Sequence, residues 1–234
     1  MILSLFDIDG TLLRTQGLGR AAMIEAATVV LGRPDAFDQV SFAGAVDSGA
    51  VSAAIQGVGI DPSPEVLGRF RRVYTEALRQ GFAASPGRAS LCPGARAAVT
   101  AMKNQGQVGL LTGNWRIGAR IKLGSLDMWR PFEGRPGAFG DDAHLRNDLL
   151  PFAVRRARAR GHKLRRVLII GDTPADVECA RAGAVAMGRA GPEVVAVAVC
   201  TGFSTREALV DSAPDVLIED LIAGLPQLLA LTRG

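Results

Sequence analysis

The sequence predicts an α/β fold, a doubly wound parallel sheet forming a Rossmann-like core, with an inserted helical cap after its first strand. Three observations lead there. Short apolar runs alternate with segments of helical periodicity from residue 93 onward, the pattern of a parallel sheet with crossover helices. One further run, Ile2-Leu3-Ser4-Leu5-Phe6, stands apart at the N-terminus, separated from the others by helical patterning alone. Finally, Asp7, Thr112 and Asp172 each follow an apolar run directly, and ligands of open α/β sheets bind beyond the carboxyl ends of strands.

The elements are read in order. Residues 2–6 are a strand too short for a core helix. Residues 18–31 carry apolar positions at helical spacing and stop at Gly32-Arg33-Pro34. Helices are also expected at 47–55 and at 64–78, the latter announced by Asp61-Pro62-Ser63-Pro64. No strand-like run is read between residues 12 and 85, and Ser85-Pro86-Gly87 reads as a linker. The domain division expected is therefore a core of 1–14 and 86–234 with a helical cap of 15–85. Helices follow at 94–104, from 114 to about 126, at 147–160 and at 174–182. Strands are expected at 107–111, 167–170, 194–199 and 215–218. Residues 184–187 read either as a separate strand or as loop.

Composition narrows the class. An apolar content of 48% in 234 residues supports a real core, while 5% aromatics leave the packing to Ala, Val and Leu. Cys92, Cys179 and Cys200 form no Cys-x-x-Cys pair, which argues against disulfides and zinc. His144 and His162 lack metal-ligand spacing. No run reaches membrane-spanning length and no signal peptide is read, so a soluble cytoplasmic protein is expected. The net charge of +4 is mostly arginine, densest at residues 155–166. No aromatics are interleaved there, so a solvated helix face is preferred to a nucleic-acid patch.

The chemistry concentrates in Asp7-Ile8-Asp9-Gly10-Thr11-Leu12. Two carboxylates at the end of a buried strand are costly unless a cation joins them. Gly10 and Thr11 permit a turn and offer donors to an anion. Mg²⁺ and a phosphate suit that pairing, although two Asp residues can also simply cap a turn.

Together with Leu110-Leu111-Thr112-Gly113-Asn114 and Gly171-Asp172-Thr173-Pro174-Ala175-Asp176, this motif resembles the haloacid-dehalogenase superfamily, in its phosphoglycolate-phosphatase-like branch with a helical cap. The resemblance implies a Mg²⁺-dependent phosphomonoester hydrolase acting on a small phosphorylated metabolite. By that resemblance Asp7 is the nucleophile and Asp9 the proton donor and acceptor. Asp7, Asp9 (through its carbonyl), Asp172 and Asp176 hold the metal, with Asp176 supporting. Thr112, Gly113, Asn114 and Arg146 hold the phosphoryl group, and Asn114 could alternatively cap the following helix. Asp9 favours phosphoryl transfer over dehalogenation, since an alkyl halide needs no protonated leaving group.

Two segments depart from the family pattern. Its lysine, on a helix start before the Gly-Asp strand, is missing, and Arg146 stands at about that distance from Asp172. Arginine suits phosphate geometry, so Arg146 is assigned the cationic role. Lys122 is the competitor, about 15 Å of helical rise beyond Thr112. In the cap, Phe42-Ala43-Gly44-Ala45-Val46-Asp47 lacks the polar pair that the branch places before its Asp. Arg14, Gln16 and Arg20 are candidates for reading a substrate anion, Arg20 the least favoured. A phosphomutase or other phosphotransferase is the close alternative, and a phospho-accepting signalling or binding module the non-enzyme one. No membrane or nucleic-acid partner is expected, and a monomer or homodimer is.

Overall fold

The structure is a computed structural model that describes residues 1–233. In chain order the elements are β1 (Ile2–Phe6), β2 (Leu13–Arg14), α1 (Leu18–Leu31), α2 (Asp47–Gly57), α3 (Pro64–Ala84), β3 (Ser90–Leu91) and α4 (Ala95–Gln105). There follow β4 (Gln107–Leu110), α5 (Arg116–Gly124), α6 (Leu149–Ala159), β5 (Arg166–Gly171), α7 (Pro174–Met187) and β6 (Glu193–Val199). The chain ends with α8 (Arg206–Asp211), β7 (Val216–Ile218) and α9 (Leu225–Ala230), and single 3₁₀ turns occur at Arg130–Phe132 and Arg146–Asp148.

Five strands form a parallel sheet in the order β4-β1-β5-β6-β7. β1 lies between β4 and β5 and is buried along its whole length, which explains its continuous apolar run. Alternate residues of each strand feed two cores. Phe6, Leu110, Leu168, Ile170 and Val197 face α4, α5 and α9. Leu3, Leu5, Val167, Ile169 and Ala196 face α6 and α7. The chain thus makes the α/β sheet its sequence predicts.

α1, α2 and α3 build a third apolar cluster, joined by Trp115. α3 continues past residue 78 to Ala84, because Phe70, Tyr74, Leu78 and Phe82 keep one buried face at helical spacing. No helix among the described residues is long and apolar enough to cross a membrane.

Two sequence expectations are corrected. Residues 184–187 are neither strand nor loop but the last turn of α7. The run is alanine-rich, and Ala favours helix over strand; Gly183 also lets α7 pass against Leu150, where a Cβ would clash. A strand also exists within residues 12–85: β2 pairs antiparallel with β3, so the two ends of the inserted segment are tied together. Two-residue strands carry no readable periodicity.

Candidate active site

The carboxyl ends of β1, β4 and β5 meet at the floor of a cavity of about 480 Å³. Asp7, Asp9, Thr112, Gly113, Asn114, Arg146 and Asp172 all line it, while Asp176 lies just beneath. The sequence-predicted residues are therefore brought together.

Asp7 follows β1 directly, and its N–H donates to the Ile170 carbonyl of β5 at 2.9 Å. Its side chain is buried; Oδ2 sits 3.0 Å from Arg146 Nη2, and Oδ1 is buried without a partner among the described residues. Burial raises its pKa to about 6, with Arg146 and the Thr112 hydroxyl acting in the opposite direction. Gly10, at φ 83°, turns the chain over Asp172; any Cβ there would lie 2.3 Å from Asp172 Oδ2. Thr11 then donates its hydroxyl to Asp172 Oδ1 at 2.9 Å.

Asp172 is fully buried at the end of β5, and among the described residues no cation pairs with it. Burial pushes its pKa to about 8, reinforced by Asp7 and Asp176. Asp176 closes a capping box at the start of α7: Oδ2 accepts from the Thr173 N–H and hydroxyl, and Oδ1 accepts from Arg146. Carboxylate oxygens of Asp7, Asp172 and Asp176 lie within 4.8 Å of one another, a group that could hold a metal ion.

Arg146 enters from the 3₁₀ turn before α6 and bridges Asp7 and Asp176. It is buried, but the two carboxylates more than offset the desolvation and hold it charged. Nearby Asp141 pairs instead with Arg71. Lys122 also reaches the floor. Its Nζ donates to Asp9 Oδ2 at 2.7 Å and to Asn114 Oδ1 at 2.6 Å, and the residue is buried. Arg146 and Lys122 thus occupy different places and do not compete. Helical rise misplaced Lys122, because a lysine stem can reach back alongside the start of its helix.

Asn114 does not cap α5, whose N-cap is Trp115. Its amide donates to Asp9 Oδ2 at 2.8 Å and to Thr112 Oγ1 at 2.9 Å, so it ties three floor residues together. Gly113 has no room for a side chain, since a Cβ would sit 1.8 Å from the Ala45 carbonyl oxygen.

The roof comes from the inserted helices and the segment ahead of α2, including Arg20, Met23, Val40, Phe42, Asp47 and Tyr74. Asp47 pins roof to floor: its N–H donates to the Gly113 carbonyl at 2.8 Å, and its Oδ2 accepts from the Trp115 N–H at 2.8 Å. Sequence reasoning noticed the Asp47 segment without this contact, which no local pattern signals. Of the other anion-reading candidates, Arg14 is spent on the Thr201 carbonyl at 3.1 Å. Cys92 and Cys179 are buried packing residues, each thiol donating to a carbonyl.

Fold and site together define an α/β protein of hydrolase type, with an acidic centre at parallel strand ends beneath a helical roof. The family model of haloacid dehalogenase-like hydrolases matches residues 4–181, and the chain belongs to that family. No curated protein matches it significantly. Among solved structures it is similar to a hydrolase from Pseudomonas syringae, with 18% identity, 99% of both chains covered and a TM-score of 0.67. A predicted phosphoglycolate phosphatase from Haemophilus somnus 129pt shows 17% identity over 97% of both chains and a TM-score of 0.65. A Thermotoga maritima protein with the provisional name β-phosphoglucomutase shows 19% identity over 99% of both chains and a TM-score of 0.59.

Proposed function

We propose that this chain is a phosphomonoester hydrolase acting on a small phosphorylated metabolite, with Asp7 as nucleophile and Mg²⁺ as cofactor. The observation that carries this reading is the buried Oδ1 of Asp7, which has no partner among the described residues, as the buried Nε of the adjoining Arg146 has none. A buried acceptor with nothing to accept from is costly, and a ligand or reacting atom supplies what is missing.

The donor set fits a hard cation. Asp172 is buried with only a hydroxyl and an amide against it, and Asp7 Oδ1 has no partner. Mg²⁺ prefers such oxygens. Asp7, Asp172 and the Asp9 carbonyl would hold it, and Asp176, with both oxygens engaged, would support from behind. When bound, the ion supplies positive charge to the phosphoryl group.

Asp7 attacks phosphorus, forming a carboxyl O–P bond as the ester P–O bond breaks. Asp9 gives a proton to the leaving oxygen, then takes one from the water that hydrolyses the aspartyl phosphate. Orthophosphate leaves and Asp7 is restored. Lys122 and Asn114 fix the Asp9 carboxylate for both transfers. The Thr112 hydroxyl and the Gly113 N–H, which has no backbone acceptor among the described residues, hold phosphoryl oxygens. Arg146 orients Asp7 and offers charge to the same group. Residues 15–85 act as a cap that excludes water, over a core of 1–14 and 86–234.

The test is hydrolysis of p-nitrophenyl phosphate with and without Mg²⁺, in wild type and Asp7→Asn. Mg²⁺-dependent turnover that disappears in the variant supports the reading; turnover indifferent to the substitution contradicts it. The Thermotoga neighbour's name keeps a phosphomutase as the second reading. Release of orthophosphate from a hexose phosphate, rather than transfer to another hydroxyl of the sugar, favours the hydrolase.

A further inference from the structure

We propose that Thr201, clamped by Arg14, is a positioning residue for the carboxylate of Asp172, so that these two side chains set the affinity of the site for Mg²⁺. This inference rests on the Mg²⁺-dependent phosphatase reading and adds to it residues outside the three strand-end motifs. It comes from the loop after β6, which crosses toward the turn after β1.

Asp172 is walled in by backbone. β6 runs beside β5 with Ala198 opposite Gly171, so the chain leaving β6 arrives over Asp172. A Cβ on Gly202 would lie 1.6 Å from Asp172 Oδ2. One on Gly10 would lie 2.3 Å from the same oxygen and 2.8 Å from the Gly202 Cα. Two glycines from different loops therefore press on one carboxylate oxygen and on each other. The other oxygen accepts from the hydroxyl of Thr11, the neighbour of Gly10. The Phe203 N–H, the remaining donor to Asp172 among the described residues, stands 3.4 Å away. The direction of this carboxylate thus depends on how closely the two loops stay together.

Thr201 holds them together. Its side chain is buried, and its hydroxyl donates to the Gly10 carbonyl at 2.6 Å. Its own carbonyl accepts from Arg14 Nε at 3.1 Å and from Arg14 Nη2 at 2.5 Å. Arg14 ends β2, which pairs with β3, so the clamp is mounted on the ribbon that follows the Gly10 turn. The contacts close a ring: Gly10 to Thr201, Thr201 to Arg14, and Arg14 back along the chain to Gly10. The guanidinium fork grips a single carbonyl, a contact that fixes backbone rather than balancing charge. Groups that orient a metal's ligands from behind govern its affinity nearly as strongly as the ligands do.

The test is calorimetric titration of Mg²⁺ into the substrate-free protein, with thermal unfolding of each variant measured alongside. Asp172→Asn should abolish the binding heat, which assigns it to this site. Thr201→Val should raise the Mg²⁺ dissociation constant by about tenfold, whereas Thr201→Ser, which keeps the hydroxyl, should stay within about twofold of wild type. Arg14→Ala should raise it by a few-fold and Arg14→Lys by less. Joining Arg14→Ala to Thr201→Val should add little, because both act through one loop. Thr205→Ala is the control for stability alone. The Thr205 hydroxyl caps α8 at the other end of the loop, accepting from the Ala208 N–H at 3.2 Å. Its loss should lower the unfolding temperature and leave the affinity as it was. Unfolding temperatures that fall in Thr201→Val and Arg14→Ala with Mg²⁺ affinity unchanged overturn the proposal. An equal loss of affinity in Thr205→Ala overturns it too, as does a wild type that binds no Mg²⁺. Should Thr201→Val fail to fold, Arg14→Ala, at an exposed position, decides. Hydrolysis of p-nitrophenyl phosphate and a panel of phosphorylated metabolites separates this outcome from the phosphatase reading. The expected affinity shifts in a protein that hydrolyses no phosphoester sustain the positioning role and contradict the phosphatase alone.

Discussion

The floor and the roof of the cavity are built on opposite principles. On the floor, charges answer charges: Arg146 joins Asp7 to Asp176, and Lys122 joins Asp9 to Asn114. Asp7, Asp9 and Asn114 follow the ends of β1 and β4, while Arg146, Lys122 and Asp176 reach them from the 3₁₀ turn before α6, from α5 and from α7. On the roof, Met23, Val40, Phe42 and Tyr74 stand beside the exposed Arg20, whose guanidinium lies against Phe42, and Asp47 is held by backbone groups rather than by an ion pair. The difference teaches a division of labour. A pre-organised floor suits chemistry that cannot tolerate displaced atoms, whereas a sparsely polar roof suits discrimination among leaving groups.

Breaking the floor should have the largest effects. Asp7→Asn should lower kcat by about 10⁴-fold or more, measured on any ester the wild type hydrolyses, because a nucleophile has no substitute. Next comes Arg146. Arg146→Ala should cost both activity and on the order of 3 kcal/mol of stability by denaturant titration, since it leaves Asp7 and Asp176 facing each other unpaired. Arg146→Lys restores the cation in the form the family usually employs and should recover much of the lost kcat. If Lys is no better than Ala, the bidentate shape of arginine matters more than its charge.

Lys122→Met sharpens the comparison between the two floor cations. It should lower kcat by about 10²-fold, the scale of proton-transfer assistance, with a smaller change in KM. A KM effect alone would place Lys122 among the substrate-binding groups instead. The smallest effect concerns the pin between roof and floor. Burial raises the pKa of Asp47 to about 6, Lys122 and the Trp115 N–H opposing. The folded protein then keeps a proton that the unfolded chain releases at lower pH. That contribution is full below about pH 4 and is lost as pH rises through 6, by roughly 2–3 kcal/mol. Asp47→Asn should flatten this part of the stability–pH curve; an unchanged slope would show that Asp47 is not its source.

The floor was largely legible in the sequence because its residues follow apolar runs directly. A strand end names its position in the sheet, so Asp7, Thr112 and Asp172 could be placed together from three short motifs. Arg146 was found by its distance from Asp172, with no signal for its contact to Asp176. In the sequence Lys122 stands as a rival, because helical rise locates a Cα and says little about a four-carbon stem. Residues 184–187 are ambiguous in the sequence because a short apolar, alanine-rich run has no period of its own. The roof was least legible. Asp47 matters through its contacts with Gly113 and Trp115, far away in sequence, which no local pattern announces.

The central claim is that phosphorus becomes bonded to Asp7. Acid quenching during turnover, followed by borohydride reduction and peptide mass mapping, tests it directly. The account predicts conversion of residue 7 to homoserine in the substrate-treated protein and in no untreated control. Steady turnover with residue 7 unmodified, or with the modification at another carboxylate, would contradict it.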